Sequence, residues 1–205
     1  MWHRHLSYLL KWLLAFPMIF PLNVLSSEIA PVSKTKKERY VYFSVGQSEN
    51  DTYNGDLYNI DTKDTSVSLG LGVQVGSIVF IDFRFASLGD YENSSGSYTE
   101  SYSALSANLL ARLPLGDSGV NLYGSVGYGL LSWEYEVSSL IHVKDSGDTL
   151  IAGAGIQYKI PGLENYVLSL GYDQYYFRTS SIYGTGGSHS NTISVLGVGL
   201  QYRMQ

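Results

Sequence analysis

The sequence predicts an all-β fold: an eight-stranded, antiparallel, up-and-down barrel that crosses a membrane. Three observations predict it. Apolar and small polar residues alternate along eight segments after residue 39, the connections between those segments are long and short in strict turn, and the non-apolar face carries almost no charge. Composition agrees. The 205 residues set a prior of one domain, and the charged fraction of 15% lies well under the roughly 25% of soluble chains. Glycine (22) and tyrosine (18) are abundant, proline (5) is scarce and cysteine is absent. A chain so apolar and aromatic is not disordered. Without cysteine it has neither a disulfide framework nor a thiolate metal site. A net charge of −5 argues against a nucleic-acid partner.

Residues 1–27 stand apart from the rest. Arg4 and Lys11, with His3 and His5, give a basic start; Trp12 to Leu25 is almost wholly apolar; Ser26 and Ser27 follow. That order is a secretory signal peptide. Val24 and Ser26 suit cleavage after Ser26, and Leu25 with Ser27 suits cleavage one residue later. The competing reading is an uncleaved helix over Leu6–Leu25, long enough to span but interrupted by Lys11, Pro17 and Pro21. No cysteine follows the apolar run, which excludes a lipid-anchored form. Residues 28–38, with Lys34, Lys36 and Lys37, read as a flexible lead-in, and 39–205 as the barrel.

The strands follow in order. Val41, Phe43 and Val45 alternate with Tyr42, Ser44 and Gly46 in the first. Val67, Leu69, Leu71 and Val73 form the apolar face of the second, and Ile81, Phe83 and Phe85 that of the third. Leu105, Ala107, Leu109, Ala111 and Leu113 mark the fourth; Val120, Leu122, Val126, Tyr128 and Leu130 the fifth. Leu150, Ala152, Ala154, Ile156 and Tyr158 mark the sixth, Tyr166, Leu168, Leu170 and Tyr172 the seventh, and Leu196, Val198, Leu200, Tyr202 and Met204 the eighth. Short links at Gly76-Ser77, Pro114–Gly119 and Pro161–Asn165 carry turn residues. Four long polar connections span about 47–64, 88–101, 131–148 and 176–191. Long loops on one rim and tight turns on the other is the layout of an outer-membrane barrel.

Alternation alone does not say which face meets lipid; the polar face does. A soluble barrel needs Lys, Glu and Asp outside, whereas here that face is Gly, Ser, Asn and Gln, suited to a narrow lumen. Asp82, Arg84, Asn108, Arg112, Gln157 and Asp173 then form a polar network in the lumen, with Asp82 and Asp173 as counter-charges for Arg84 and Arg112. Aromatics at the strand ends fit two interfacial girdles: Tyr158, Tyr166 and Tyr202 near the short turns, and Tyr102, Tyr128, Trp133, Tyr175 and Phe177 near the long loops. Tyr53, Tyr58, Tyr91, Tyr98, Trp133, Tyr135 and Tyr183, set among Ser, Gly, Asn and Asp, are candidate recognition residues in those loops. Asp51, Asp56, Asp61 and Asp64 lack the spacing of a calcium loop. No catalytic residue, metal site or cofactor is predicted.

Phe83-Arg84-Phe85 leading to Leu88-Gly89-Asp90-Tyr91, Leu113-Pro114-Leu115 before Leu122-Tyr123-Gly124, and Val126-Gly127-Tyr128-Gly129 together resemble the OmpA-like outer membrane protein beta-barrel domain family over nearly all of 39–204. Within it the chain is similar to accessory colonization factor A-like proteins of Gram-negative bacteria. Gly199, Tyr202 and Met204 resemble the terminal-strand signal read by the bacterial barrel-assembly machinery, although the chain ends Met204-Gln205 where Phe is common. The resemblance implies a non-enzymatic protein among outer-membrane lipid and lipopolysaccharide. Its loops would contact a host or phage surface; a small porin-like channel is the alternative reading. A lipid A-modifying barrel enzyme is more remote. Such deacylases carry His-x-Ser-Asn, whereas His189-Ser190-Asn191 lacks the spacer. Neighbours on a strand point to opposite faces, so the serine would have no base beside it.

These readings set an N-terminus. Mass-spectrometric sequencing of the protein from outer-membrane fractions should find Ser27 or Glu28 first. Recovery from the inner membrane with residues 1–25 intact would refute the signal peptide.

Overall fold

A computed structural model describes residues 37–51, 61–93, 98–137, 141–180 and 188–204. The strands are β1 (Arg39–Asp51), β2 (Lys63–Gln74), β3 (Val79–Glu92), β4 (Tyr98–Pro114), β5 (Val120–Val137), β6 (Ile141–Lys159), β7 (Tyr166–Ser180) and β8 (Ser188–Met204). Each pairs antiparallel with the next, and β8 returns to β1 to close the barrel. Paired residues followed once round the wall run from Val41 through Leu71, Phe83, Ala107, Tyr128, Leu150, Tyr176 and Thr192 to Asp51. The path returns to β1 ten residues on, and that stagger tilts the strands and sets the width of the lumen.

The short turns behave as their residues dictate. Leu115 N–H donates to Val120 O at 2.9 Å across the β4–β5 turn, where Gly116 and Gly119 take φ of 59° and 74°. Glycine, with no Cβ, adopts such angles at no steric cost. Gly89 (φ 121°) sits at a bulge in β3, where the register with β4 shifts by one residue. The side-chain oxygen Oδ2 of Asp64 accepts the Asp90 N–H just beyond it at 2.6 Å.

The apolar faces point outward as the alternation predicts: Phe43, Leu69, Phe83, Leu109, Val126, Leu150, Leu170 and Val198 are all exposed on the barrel wall. The four long connections differ from expectation. Strand extends into each: β5 and β6 stay paired up to Val137 and Ile141, and β3 and β4 as far as Glu92 and Thr99. Alternation continues there, but its phase inverts. On β5, Leu122, Val126, Tyr128 and Leu130 face out, whereas beyond Leu130 it is Leu131, Trp133 and Tyr135 that are buried inside. β4 does the same from Leu105 to Ala104 and Tyr102, and β7 from Tyr172 to Tyr175 and Phe177.

This inversion corrects the outer aromatic girdle. Tyr102, Trp133, Tyr175 and Phe177 are buried inside the barrel, while Tyr128, Tyr172 and Tyr176 remain outside. Above the lipid the wall meets water, so apolar side chains gain by turning inward. There they form the larger of two cores, with Ala86, Leu88, Tyr91, Ala104, Leu131, Ile151 and Ile193. A smaller core of Tyr40, Phe80 and Leu110 lies toward the short turns.

Two substitutions separate the two media. Leu109→Arg, on the lipid face and 54% exposed, should cost about 2–4 kcal/mol near the bilayer midplane. Trp133→Ala should cost about 3–5 kcal/mol, as a core truncation does. Urea titration of the vesicle-refolded barrel, read by heat-modifiable gel mobility, measures both. A Trp133→Ala variant as stable as wild type would contradict an aromatic core above the membrane.

Candidate functional site

The lumen is the place where charged side chains converge. Asp82 and Arg84, two apart on β3, share the inward face. Arg84 reaches across to β7, its Nη1 2.7 Å from Asp173 Oδ2, and its Nε lies 3.7 Å from Asp82 Oδ1. Its Nε also donates to the Tyr42 hydroxyl, and the guanidinium carbon lies 5.4 Å from that ring centre. Asp82 is fully buried and accepts from Tyr40 Oη and Asn108 Nδ2, each at 3.2 Å. Gln157 Nε2 donates to Gln201 Oε1 at 3.2 Å on the far wall.

Glycines make this crowding possible. A Cβ on Gly70 would collide with the Tyr42 ring, one on Gly72 with Tyr40, and one on Gly155 or Gly171 with Tyr123. Each glycine thus provides the recess that a tyrosine of another strand occupies, and the open space beside Arg84 is only about 60 Å³.

All six lumen residues point inward, but one pairing differs from expectation. Both Asp82 and Asp173 serve Arg84. Arg112 lies nearer the short turns, where its Nη1 meets Glu38 Oε1 at 2.7 Å and its guanidinium stacks on Phe80 at 4.1 Å. Arg203 Nε reaches the same Glu38 oxygen at 3.1 Å. The register explains it: Asp82 lies directly opposite Asn108, four residues and so about 13 Å along the strand from Arg112. Glu38 escaped the sequence reading because it precedes the first alternating residue.

The other end of the lumen is capped by the aromatic core. Glu100 is completely buried and accepts from Tyr98 Oη at 2.6 Å and Tyr102 Oη at 2.8 Å. Tyr102 packs on Tyr91 and Phe177, with ring centres 5.9 and 5.7 Å apart. Burial, with the Glu100 charge adding, pushes the Tyr135 phenol well up from its ordinary value. Of the recognition candidates, Tyr91, Tyr98, Trp133 and Tyr135 therefore belong to this cap and not to a loop surface. Tyr53, Tyr58 and Tyr183 lie outside the described residues. Glu100 was hidden in what reads as a polar loop.

On the closing strand Tyr202 and Met204 face outward, with Tyr202 against Tyr166 at 5.3 Å between ring centres. Gly199 is buried opposite Ser44. His142 sits on β6, outside, with Nε2 3.1 Å from Glu134 Oε1. Ser190 is exposed and Asn191 buried, on opposite faces of β8, as adjacent strand residues must be.

Comparison with known proteins agrees with this architecture. Residues 20–203 match the family described as Outer membrane protein beta-barrel domain. Among solved structures, Neisserial surface protein A is 14% identical with a TM-score of 0.63, over 80% of this chain and 96% of that one. Ail, the attachment invasion locus protein of Yersinia pestis, is 17% identical with a TM-score of 0.54, over 83% of this chain and 100% of that one. Ail in complex with the heparin analogue sucrose octasulfate is 18% identical with a TM-score of 0.53, at the same coverage. No curated protein sequence matches.

The lumen network makes a stability prediction. Arg84→Ala leaves Asp82 and Asp173 facing each other without their cation and should cost about 3–5 kcal/mol. Adding Asp173→Asn should recover part of that loss. Urea titration of both variants checks it, and strict additivity would mean that the two side chains do not interact.

Proposed function

This chain belongs to the outer membrane protein beta-barrel domain family, and we propose from that premise that it is a non-enzymatic contact protein of the cell surface. It is a multi-strand protein of the bacterial outer membrane. One observation carries the proposal. The lumen is filled across by Arg84, Asp173, Tyr40, Tyr42 and Tyr123 and capped by an aromatic core, while the hairpins continue as strands into the external water. An ion path would need open space where the side chains pack. A contact surface needs a rigid frame standing clear of the lipid, and the continued strands supply it.

The surface also has a sign. Segments 47–64, 88–101, 131–148 and 176–191 hold twelve Asp and Glu, of which Glu100 is buried in the cap, against three Lys and Arg. Complementarity favours a basic partner and disfavours polyanions. A sulfated ligand of the kind seen with Ail therefore fits this chain poorly.

Expressed in a non-adherent bacterium, the protein should confer attachment to host-cell layers. Poly-lysine and high salt should compete for it, and sucrose octasulfate should not. In planar bilayers the refolded barrel should show no steady conductance. Stable, ion-selective openings that change in Arg84→Ala would move the assignment to a channel.

A further inference from the structure

We infer that the short-turn mouth of the barrel is a binding site for a phosphate-class oxyanion, held between Arg112 and Arg203. The charge count at the mouth motivates it. Two guanidinium groups converge on one carboxylate oxygen, Glu38 Oε1, at 2.7 and 3.1 Å. The cluster therefore carries one positive charge more than it carries negative. That excess is sheltered: the Arg112 side chain is 7% exposed and that of Arg203 15%.

Donors remain as well as charge. Arg112 Nε and Nη2 and Arg203 Nη2 are buried and have no hydrogen-bond partner among the described residues. Stacking on Phe80 at 4.1 Å accounts for the face of the Arg112 guanidinium, and its N–H edge is left over. A cavity of about 190 Å³ lies beside both arginines, and Gln74, Ser77 and Asn121 also line it with neutral polar groups. Sheltered cations without partners are costly. Guanidinium groups with free edges match the oxygens of phosphate in charge and in geometry.

The exposed Lys37, Arg39 and Lys159 stand at the same end of the strands and outnumber the exposed Asp117 and Glu164 of the short turns, which leaves the local potential favourable for an anion. This end of the barrel meets the inner leaflet and the periplasm, so the phosphate has two sources: a phospholipid head group or a free phosphate. Glu38 occupies the centre of the site and would share the arginines with the incoming anion. Its removal should therefore strengthen binding.

The test uses the mature chain, ¹⁵N-labelled and refolded in phosphate-free maltoside micelles, with the Nε–H signals of Arg112 and Arg203 followed by NMR. Inorganic phosphate should move both signals saturably, and sodium chloride at equal ionic strength should not. Short-chain phosphatidylglycerol forms the second arm. Saturation at lower concentration than inorganic phosphate identifies a lipid head group; the reverse identifies the free ion. Glu38→Gln should tighten binding several-fold, and Arg203→Gln should weaken it at least tenfold. Asn121→Asp, which sets a carboxylate in the cavity, should abolish it and gives the same comparison where Arg203→Gln does not refold. Absence of a saturable shift, an equal response to chloride, or unchanged affinity in Asn121→Asp would overturn the site.

Discussion

Everything in this barrel follows from a change of solvent partway along continuous strands. Within the bilayer every backbone N–H and C=O must be paired inside the wall, so the strands close into a cylinder without an edge. The hydrocarbon outside then requires apolar side chains on the outer face. Above the lipid the same strands stand in water, and the hydrophobic effect places the apolar side chains within. The chain meets both demands without a break in pairing. β5 runs from Val120 to Val137, and only the phase of its alternation changes, between Leu130 and Leu131.

The lumen carries the consequences. Eight strands with a ten-residue stagger enclose a space that tyrosine, arginine and glutamine side chains can fill from the walls. Filling it requires unequal neighbours: Gly70 beside Tyr42, Gly72 beside Tyr40, Gly155 and Gly171 beside Tyr123. A polar filling also suits the outward apolar face, because a lumen of aliphatic side chains would leave nothing to orient one face rather than the other during insertion. The buried charges are held by the same geometry. Arg84 is long enough to span the interior from β3 to β7, so one salt bridge ties opposite walls of the cylinder.

The closed barrel, the outward faces and all six lumen residues were legible from alternation, because within the bilayer one face is consistently apolar. Legibility failed where the solvent changed. Trp133, Tyr135 and Tyr98 look like loop aromatics when the outward phase is extrapolated, since Ser132, Glu134 and Thr99 sit between them. Read with the phase inverted, the same residues form a regular inward row. The pairing of Arg112 was illegible for another reason. Inward-facing charges are visible in sequence, but their partners depend on register across strands, and Glu38 lies outside any alternating segment. Glu100 is a third case: a carboxylate among Ser, Thr and Tyr reads as solvated until the two phenols that hold it, Tyr98 and Tyr102, are seen on the same inward face.

Charge is distributed along the barrel axis with a direction. The external segments are strongly acidic, the middle holds Arg84 between two aspartates, and the short-turn mouth holds two arginines over one glutamate. A uniform need for solubility would not produce that order, because both ends face water. Among the described residues, Glu49, Asp51, Asp90, Glu92, Glu134, Glu136, Asp145 and Asp148 of the acidic end lie on strands of the wall that buries the aromatics. On the proposed function, charge of one sign outside would steer basic partners toward the hairpins, and the opposite sign at the far mouth is the premise of the proposed anion site. Side chains packed across the centre, Arg84 with Asp173 above all, lie between the two ends.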